Sequence, residues 1–153
     1  DVAKMAQLID AAVASKPDGL VVSIPDASAL SESVKNAVAS GIPVIVIDSG
    51  GSKLTKELGG LLFMGQSEYD AGVMAGERIG KLGIKNAACL NHEVGNSFLE
   101  DRCNGIAAAL EAAGGKSTVV PTNLADPTVT AGAVQAAFQK DPTIDAIGAR
   151  IGG

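Results

Sequence analysis

Residues 42–51 read IPVIVIDSGG, a run of apolar residues that ends on an acid followed by a serine and two glycines. The four residues after the proline, Val44, Ile45, Val46 and Ile47, are all β-branched, which is typical of a buried strand. Asp48 therefore stands where a strand ends. A carboxylate in that place could cap a turn, hold a metal, accept a phosphoryl group or bind a ligand.

Helical periods and short apolar runs alternate along the whole chain. This alternation with short connections predicts an α/β fold, in which parallel sheets are flanked by helices on both faces. The chain opens on a helix, whereas a lobe of this kind normally opens on a strand, so we expect its first strand to be missing. The glycine-rich residues after Asp48 are interpreted as a loop. Helices are predicted over 3–15, 28–40, 67–82, 98–113 and 128–140, and strands over 20–24, 42–47, 61–65, 87–90, 118–121 and 144–149.

Composition excludes several classes of function. The sequence is 46% hydrophobic, which predicts a substantial core, and no apolar run reaches the roughly 18 residues of a membrane span. The net charge of -5 and the scattered lysines and arginines argue against binding of nucleic acid. No signal peptide opens the chain, so we expect that any export signal was removed or was never present.

Ligands of open α/β sheets bind beyond the carboxyl ends of the strands, so the residues that follow the predicted strands are the candidates. They are small or polar, which suits hydrogen bonding to an uncharged, polyhydroxylated ligand, although polar residues fill most such loops in any case. The candidate ligand-binding residues are Asp26, Asp48, Asn91, Asn96, Arg102 and Asn123.

Residues 91–102, NHEVGNSFLEDR, form the densest polar segment. Ser97 and Glu100 have the spacing of a capping box, which predicts a structural role for Glu100. Arg102 follows one turn into the helix, and helical side chains lean toward the N-terminus, so it can reach the carboxyl edge of the sheet. Its guanidinium could bind two ligand oxygens or instead form a surface salt bridge with Asp101 or Glu100.

The sequence does not indicate a metal site, a serine nucleophile or a phosphate-binding loop. His92 is the only histidine and has no companions at metal-ligand spacing, so we expect no metal and no cofactor. No G-x-S-x-G motif is present. The segment GGKST at 114–118 ends like a phosphate-binding loop, but it precedes a strand and lacks the first glycine of that motif.

Recurring glycines indicate how one predicted helix packs. Gly72, Gly76 and Gly80 recur every four residues along one helix, which close packing explains better than a dinucleotide site.

The two cysteines lie in neighbouring predicted elements. Cys89 lies in a strand and Cys103 on the apolar stripe of the next helix. Spacing alone favours two core thiols over a disulfide, and an oxidising compartment would reverse that preference.

The ordered motifs SIPD (23–26), VIVID (44–48), EYDAG (68–72) and RCNG (102–105) together resemble the type I periplasmic substrate-binding proteins of sugar ABC transporters, in the ribose-binding-like group. The resemblance covers nearly all 153 residues. It implies two α/β lobes joined by a hinge, with a sugar bound in the cleft between them. Residues 1–66 would be part of the first lobe and residues 67–153 part of the second, so that the chain looks truncated at both ends.

The resemblance also implies roles for particular residues. Asp48 matches the acid that accepts hydrogen bonds from sugar hydroxyls, and Arg102 matches the arginine of the opposite lobe that donates to the sugar. A further ligand residue is expected among Asn123, Ala125 and Asp126. Ser49 stands where ribose binders have an arginine, so the sugar need not be ribose.

We therefore expect a binding protein rather than an enzyme. It would be exported to the periplasm, where it would bind a sugar or polyol and deliver it to the membrane permease of an ABC transporter. The alternatives are the ligand-sensing core of a lactose-repressor-type regulator, a periplasmic sensory protein, or a phosphoacceptor domain that is phosphorylated on Asp48. The last alternative lacks the lysine that its chemistry needs at a later strand end.

Overall fold

The computed structural model describes residues 2–149, and these fold into two compact units with their boundary between Gln66 and Ser67. We call residues 2–66 the first unit and residues 67–149 the second unit. Each contains one parallel sheet of three strands, which confirms the predicted α/β class. No helix among the described residues has the length and apolar character needed to cross a membrane.

The first unit begins with a helix and alternates strictly thereafter. Its strands pair in the order β1-β2-β3, with β2 in the centre, and all are parallel. The central strand is the β-branched run of the segment IPVIVIDSGG. The elements are α1 (Val2–Ala14), β1 (Leu20–Val22), α2 (Ala27–Ala39), β2 (Val44–Ile47), α3 (Gly51–Glu57) and β3 (Leu62–Met64).

The core of the first unit lies on one face of its sheet. Val44 and Val46 of β2 are almost fully buried against Leu30 and Val34 of α2 and against residues of α1 and α3. The residues that alternate with them in the strands point the other way, and Val21 and Met64 remain 60% and 61% exposed. Within the described residues, therefore, helices cover one face of this sheet, whereas the sequence predicted helices on both.

Helix α3 was not predicted, because its first residue and the residue before it are glycines. Gly50 and Gly51 both have positive φ, at 120° and 72°, which glycine adopts at little steric cost. The helix forms because Leu54 and the C-cap residue Leu58, one turn apart, pack against the same core as β2. Tertiary burial thus outweighs a weak local helix signal.

The second unit has helices on both faces of its sheet. Its parallel strands pair in the order β5-β4-β6, so β4 is central and its residues are almost all buried. Ala87 and Cys89 face α5 and α4, and Ala88 faces α6. The elements are α4 (Glu68–Lys81), β4 (Asn86–Asn91), α5 (Ser97–Ala112), β5 (Lys116–Pro121), α6 (Pro127–Lys140) and β6 (Ala146–Ala149).

Helices α4 and α5 pack in very close contact through glycines. A Cβ at Gly72 or Gly105 would overlap a backbone carbonyl oxygen of the facing helix, that of Arg102 or Tyr69 respectively. At Gly76 it would lie 2.7 Å from the Cβ of Ala109. The predicted role of the glycine series in close packing is confirmed at these positions. The contacts advance together along both helices, so α4 and α5 run parallel and their N-termini lie at the same end.

The amino edge of the second sheet is held by two acids. Asp145 accepts hydrogen bonds from the N–H groups of Lys85 and Asn86, at 3.0 and 2.9 Å, and these lower its pKa. Lys116 donates to Asp141 at 2.7 Å and is the largest cause of the lowered pKa of that carboxyl. Lys116 belongs to the GGKST segment, which therefore has a structural contact at the start of β5.

The close contact between α4 and α5 predicts that Gly105→Ala destabilises the protein. The new methyl group has to displace the backbone of α4, and overpacking of this kind costs about 1–3 kcal/mol. Gly80→Ala is the matched control on the same interface, since its Cβ would lie 3.6 Å from that of Ala113. It should be neutral or stabilising by up to about 1 kcal/mol because alanine favours helix.

Urea unfolding followed by circular dichroism measures both variants. Equal unfolding midpoints for Gly105→Ala and Gly80→Ala would contradict the close helix contact.

Candidate functional site

Two candidate acids lie at the carboxyl edge of the first sheet. Val22 pairs with Val46 and Val46 with Phe63, so the three parallel strands end at the same edge. Asp26 follows β1 and caps α2, accepting hydrogen bonds from the Ser28 hydroxyl at 2.6 Å and from the Ala29 N–H at 3.1 Å. These bonds lower the pKa of Asp26.

Asp48 occupies a constrained turn directly after β2. Its φ is 59°, in the left-handed region that asparagine and aspartate tolerate better than other non-glycine residues. Its N–H donates to the carbonyl of Met64 at 3.1 Å, and the Ser49 hydroxyl donates to its Oδ2 at 3.1 Å. The residue itself is exposed. The turn therefore fixes the backbone of an exposed carboxylate at the end of the central strand.

In the second unit, Asn91 and Asn96 lie at the carboxyl end of β4. Asn91 is its last residue, is buried, and accepts a hydrogen bond from the N–H of Glu93 at 3.0 Å. Asn96 is the N-cap of α5 and accepts from the N–H of Phe98 at 3.0 Å. The prediction that Ser97 caps this helix was wrong by one residue, because the asparagine before it supplies the capping oxygen.

The remaining predicted residues of this edge also make local contacts. Glu100 accepts from the N–H of Gly95 at 3.0 Å, in keeping with its predicted structural role. Asn123 lies after β5 and accepts from the N–H of Ala125 at 2.9 Å. Asp126 is the N-cap of α6. Several side-chain oxygens at this edge thus organise the loops themselves.

Arg102 differs from these residues because its partner lies on another helix. Its Nε donates to Oε2 of Glu68 at 2.5 Å, and its Nη2 pairs with the same oxygen. The Glu68 side chain is fully buried, whereas 22% of the Arg102 side chain is exposed. The alternative of a surface salt bridge with Asp101 or Glu100 therefore named the wrong partners, and Glu68 was missed.

Negative charge accumulates around this arginine. Partial desolvation of Asp101, together with the charges of Glu100 and Glu68, raises the pKa of the Asp101 carboxyl. The Arg102 guanidinium therefore lies among several acids of the second unit. A signal for Glu68 was present in the sequence, since it stands four residues before Gly72 and thus one turn from the close helix contact.

Cys89 and Cys103 form a disulfide, with their Cα atoms 5.7 Å apart. Spacing had favoured two core thiols, and that prediction was wrong because β4 and α5 approach closely enough for the bond. The disulfide joins the central strand to the residue that follows Arg102. It therefore fixes the helix backbone beside the guanidinium.

Metal chemistry is not indicated in the described part of the chain. Among residues 2–149, no group of three or more histidine, cysteine, aspartate or glutamate side chains could hold an ion. His92 lies in the loop after β4 and is half-buried.

The disulfide predicts that reduction destabilises the protein. It closes a loop of 14 residues, for which the chain-entropy model gives about 3 kcal/mol. We expect dithiothreitol to lower the urea midpoint of the wild type, and to leave unchanged that of the control variant Cys89→Ala/Cys103→Ala. Two titratable thiols in the denatured, unreduced wild type would contradict the bond.

Comparisons with known proteins place these residues in a family. A model of the periplasmic binding protein domain matches residues 1–151. Comparison with curated protein sequences finds no significant match. One similar solved structure is a carbohydrate transporter from Acidothermus cellulolyticus 11B in complex with myo-inositol, 38% identical with a TM-score of 0.90.

Two further structures are similar over the same part of the chain. One is the periplasmic sugar-binding protein of an ABC sugar transporter from Legionella pneumophila, 31% identical with a TM-score of 0.90. The other is a periplasmic ribose ABC transporter from Conexibacter woesei DSM 14684, 31% identical with a TM-score of 0.77. Each alignment covers 97% of this chain and 51%, 55% and 50% of the three proteins in turn. The chain therefore spans about half the length of these relatives.

Proposed function

Because this chain belongs to the periplasmic binding protein family, we propose that the full-length protein is the solute-binding component of an ABC importer. It captures a sugar or related polyol in the periplasm and delivers it to the membrane permease of the transporter. Residues 2–66 and 67–149 belong to its first and second lobes. In this role the chain binds its ligand and catalyses no reaction.

The proposal is supported by two side chains of opposite sign, one in each unit. Asp48 lies at the carboxyl edge of the first sheet and Arg102 at that of the second, which is the edge where ligands of such sheets bind. A hydroxyl group both donates and accepts hydrogen bonds. Asp48 accepts from one sugar hydroxyl, and Arg102 donates to another.

Charge-assisted bonds give these contacts most of their energy. A hydrogen bond to a charged group contributes about 1.5–3 kcal/mol. The bonds made by Asp48 and Arg102 therefore account for much of the free energy of ligand binding. A ligand that both units bind shifts the protein toward the arrangement in which both contacts form. Asp26, Asn91, Asn96 and Asn123 stay predictions as further ligand residues.

The similar structures support a sugar or polyol as the ligand. One of them contains myo-inositol, a cyclic polyol, and the other two are a periplasmic sugar-binding protein and a periplasmic ribose ABC transporter. Ser49 beside Asp48 is small and uncharged, and its hydroxyl contacts the carboxylate. The hydroxyl groups of a polyhydroxylated ring can donate hydrogen bonds to such an exposed carboxylate.

The test is Asp48→Asn in the full-length protein. Asparagine tolerates the left-handed backbone at this position, so the variant removes the charge without straining the turn. Calorimetry against myo-inositol, ribose, arabinose and glucose should first identify the wild-type ligand. We expect its affinity to fall at least tenfold in Asp48→Asn, because one charge-assisted bond is worth about 1.5–3 kcal/mol.

Asp18→Asn is the matched control, an exposed acid that precedes β1 at the opposite edge of the same sheet. It should bind like the wild type. Unchanged affinity in Asp48→Asn would refute the role of Asp48, and failure of the wild type to bind any sugar or polyol would refute the proposed function.

A further inference from the structure

We propose that Glu68 is a positioning residue for Arg102, and that it holds the guanidinium in the orientation in which it donates to the ligand. This inference rests on the proposed function, in which Arg102 binds the sugar. Glu68 acts through the arginine and does not touch the ligand itself. It was not among the residues that the sequence predicted for the site.

The position of Glu68 is set by the fold of the second unit. It is the first residue of α4, and Arg102 is the sixth residue of α5. The two helices run parallel and come into backbone contact where Gly72 faces Arg102 and Gly105. This separation is short enough for the Glu68 carboxylate to reach a side chain 34 residues further along the chain.

The geometry of the contact fixes the plane of the guanidinium. Nε and Nη2 of Arg102 both contact Oε2 of Glu68, so two donors on the same planar group share one acceptor. The N–H bonds of a guanidinium point in fixed, different directions. Binding through Nε and Nη2 therefore turns the Nη1 donors away from Glu68, and a ligand oxygen can accept from them.

Burial makes this contact strong and specific. The Glu68 side chain is fully buried and the Arg102 side chain is 22% exposed, so one carboxylate anchors the arginine from the protein side. A buried carboxylate requires such a partner, because an unpaired charge in the interior is very costly. The disulfide at Cys103 holds the backbone of α5 to β4 at the next residue.

Positioning increases affinity by reducing the entropy that binding costs. An arginine loses much rotamer freedom when it is ordered, and ordering of such a side chain on binding weakens the complex. Glu68 orders Arg102 before the ligand arrives. Removal of the Glu68 charge should therefore weaken ligand binding, even though Arg102, the residue that contacts the ligand, is unchanged.

Glu68→Gln in the full-length protein tests this, with calorimetry against the ligand identified for the wild type. We expect an affinity loss of at least fivefold. The matched control is Glu77→Gln on the exposed side of the same helix, which should bind like the wild type. Glu68→Asp serves if the glutamine variant does not fold, since it keeps the charge but retracts the carboxylate by one methylene group.

A double variant separates positioning from a general structural effect. Arg102→Lys removes the planar group that Glu68 orients, and should weaken binding by itself. In the Arg102→Lys background, Glu68→Gln should cause no further loss of affinity. Equal losses in both backgrounds would show that Glu68 acts through stability and would overturn the proposal.

A nuclear magnetic resonance measurement does not depend on the ligand. The Nε–H signal of Arg102 should be protected from solvent exchange in the wild type and lose that protection in Glu68→Gln. An unprotected wild-type signal overturns the proposal, as does wild-type affinity in Glu68→Gln when Arg102→Lys binds weakly. Unchanged affinity in Arg102→Lys instead refutes the assignment of Arg102 to the ligand.

Discussion

The ion pair between Arg102 and the buried Glu68 depends on the close approach of helices α4 and α5. Gly72 and Gly105 let the two backbones meet, because any side chain at either position would overlap a carbonyl oxygen. The same approach brings the first turn of α4 beside the early turns of α5. A packing constraint in the core thus determines the orientation of a cation at the edge of the sheet.

In the first unit, the negatively charged Asp48 is positioned in a different way. Asp48 follows the central strand in a left-handed turn, and its backbone bonds to β3 through Met64. Here the scaffold fixes the main chain and leaves the side chain exposed, whereas Arg102 is fixed through its side chain. Backbone strain of this kind is retained where surrounding structure holds it, and it clusters at functional sites. In the proposed function, Asp48 is the acceptor and Arg102 the donor for a ligand rich in hydroxyl groups.

The sequence predicted those features that depend on local periodicity. Alternating apolar runs identified all six strands and five of the six helices found in residues 2–149, and the spacing of Gly72 and Gly76 indicated close packing. Features that depend on distant residues were not predictable in this way. The partner of Arg102 lies 34 residues earlier in the chain, so its neighbours Asp101 and Glu100 were considered instead. Helix α3 forms because tertiary burial of Leu54 and of its C-cap residue Leu58 outweighs the glycines at its start. The disulfide depends on a distance between β4 and α5 that spacing does not give.

The proposed function requires that Asp48 and Arg102 bind the same ligand molecule. A crystal structure of the full-length protein with the sugar or polyol that it binds tests this requirement. We expect Asp48 to accept a hydrogen bond from one hydroxyl of that molecule, and Arg102, still bonded to Glu68, to donate to another. A ligand bound at a place that neither side chain reaches would contradict it.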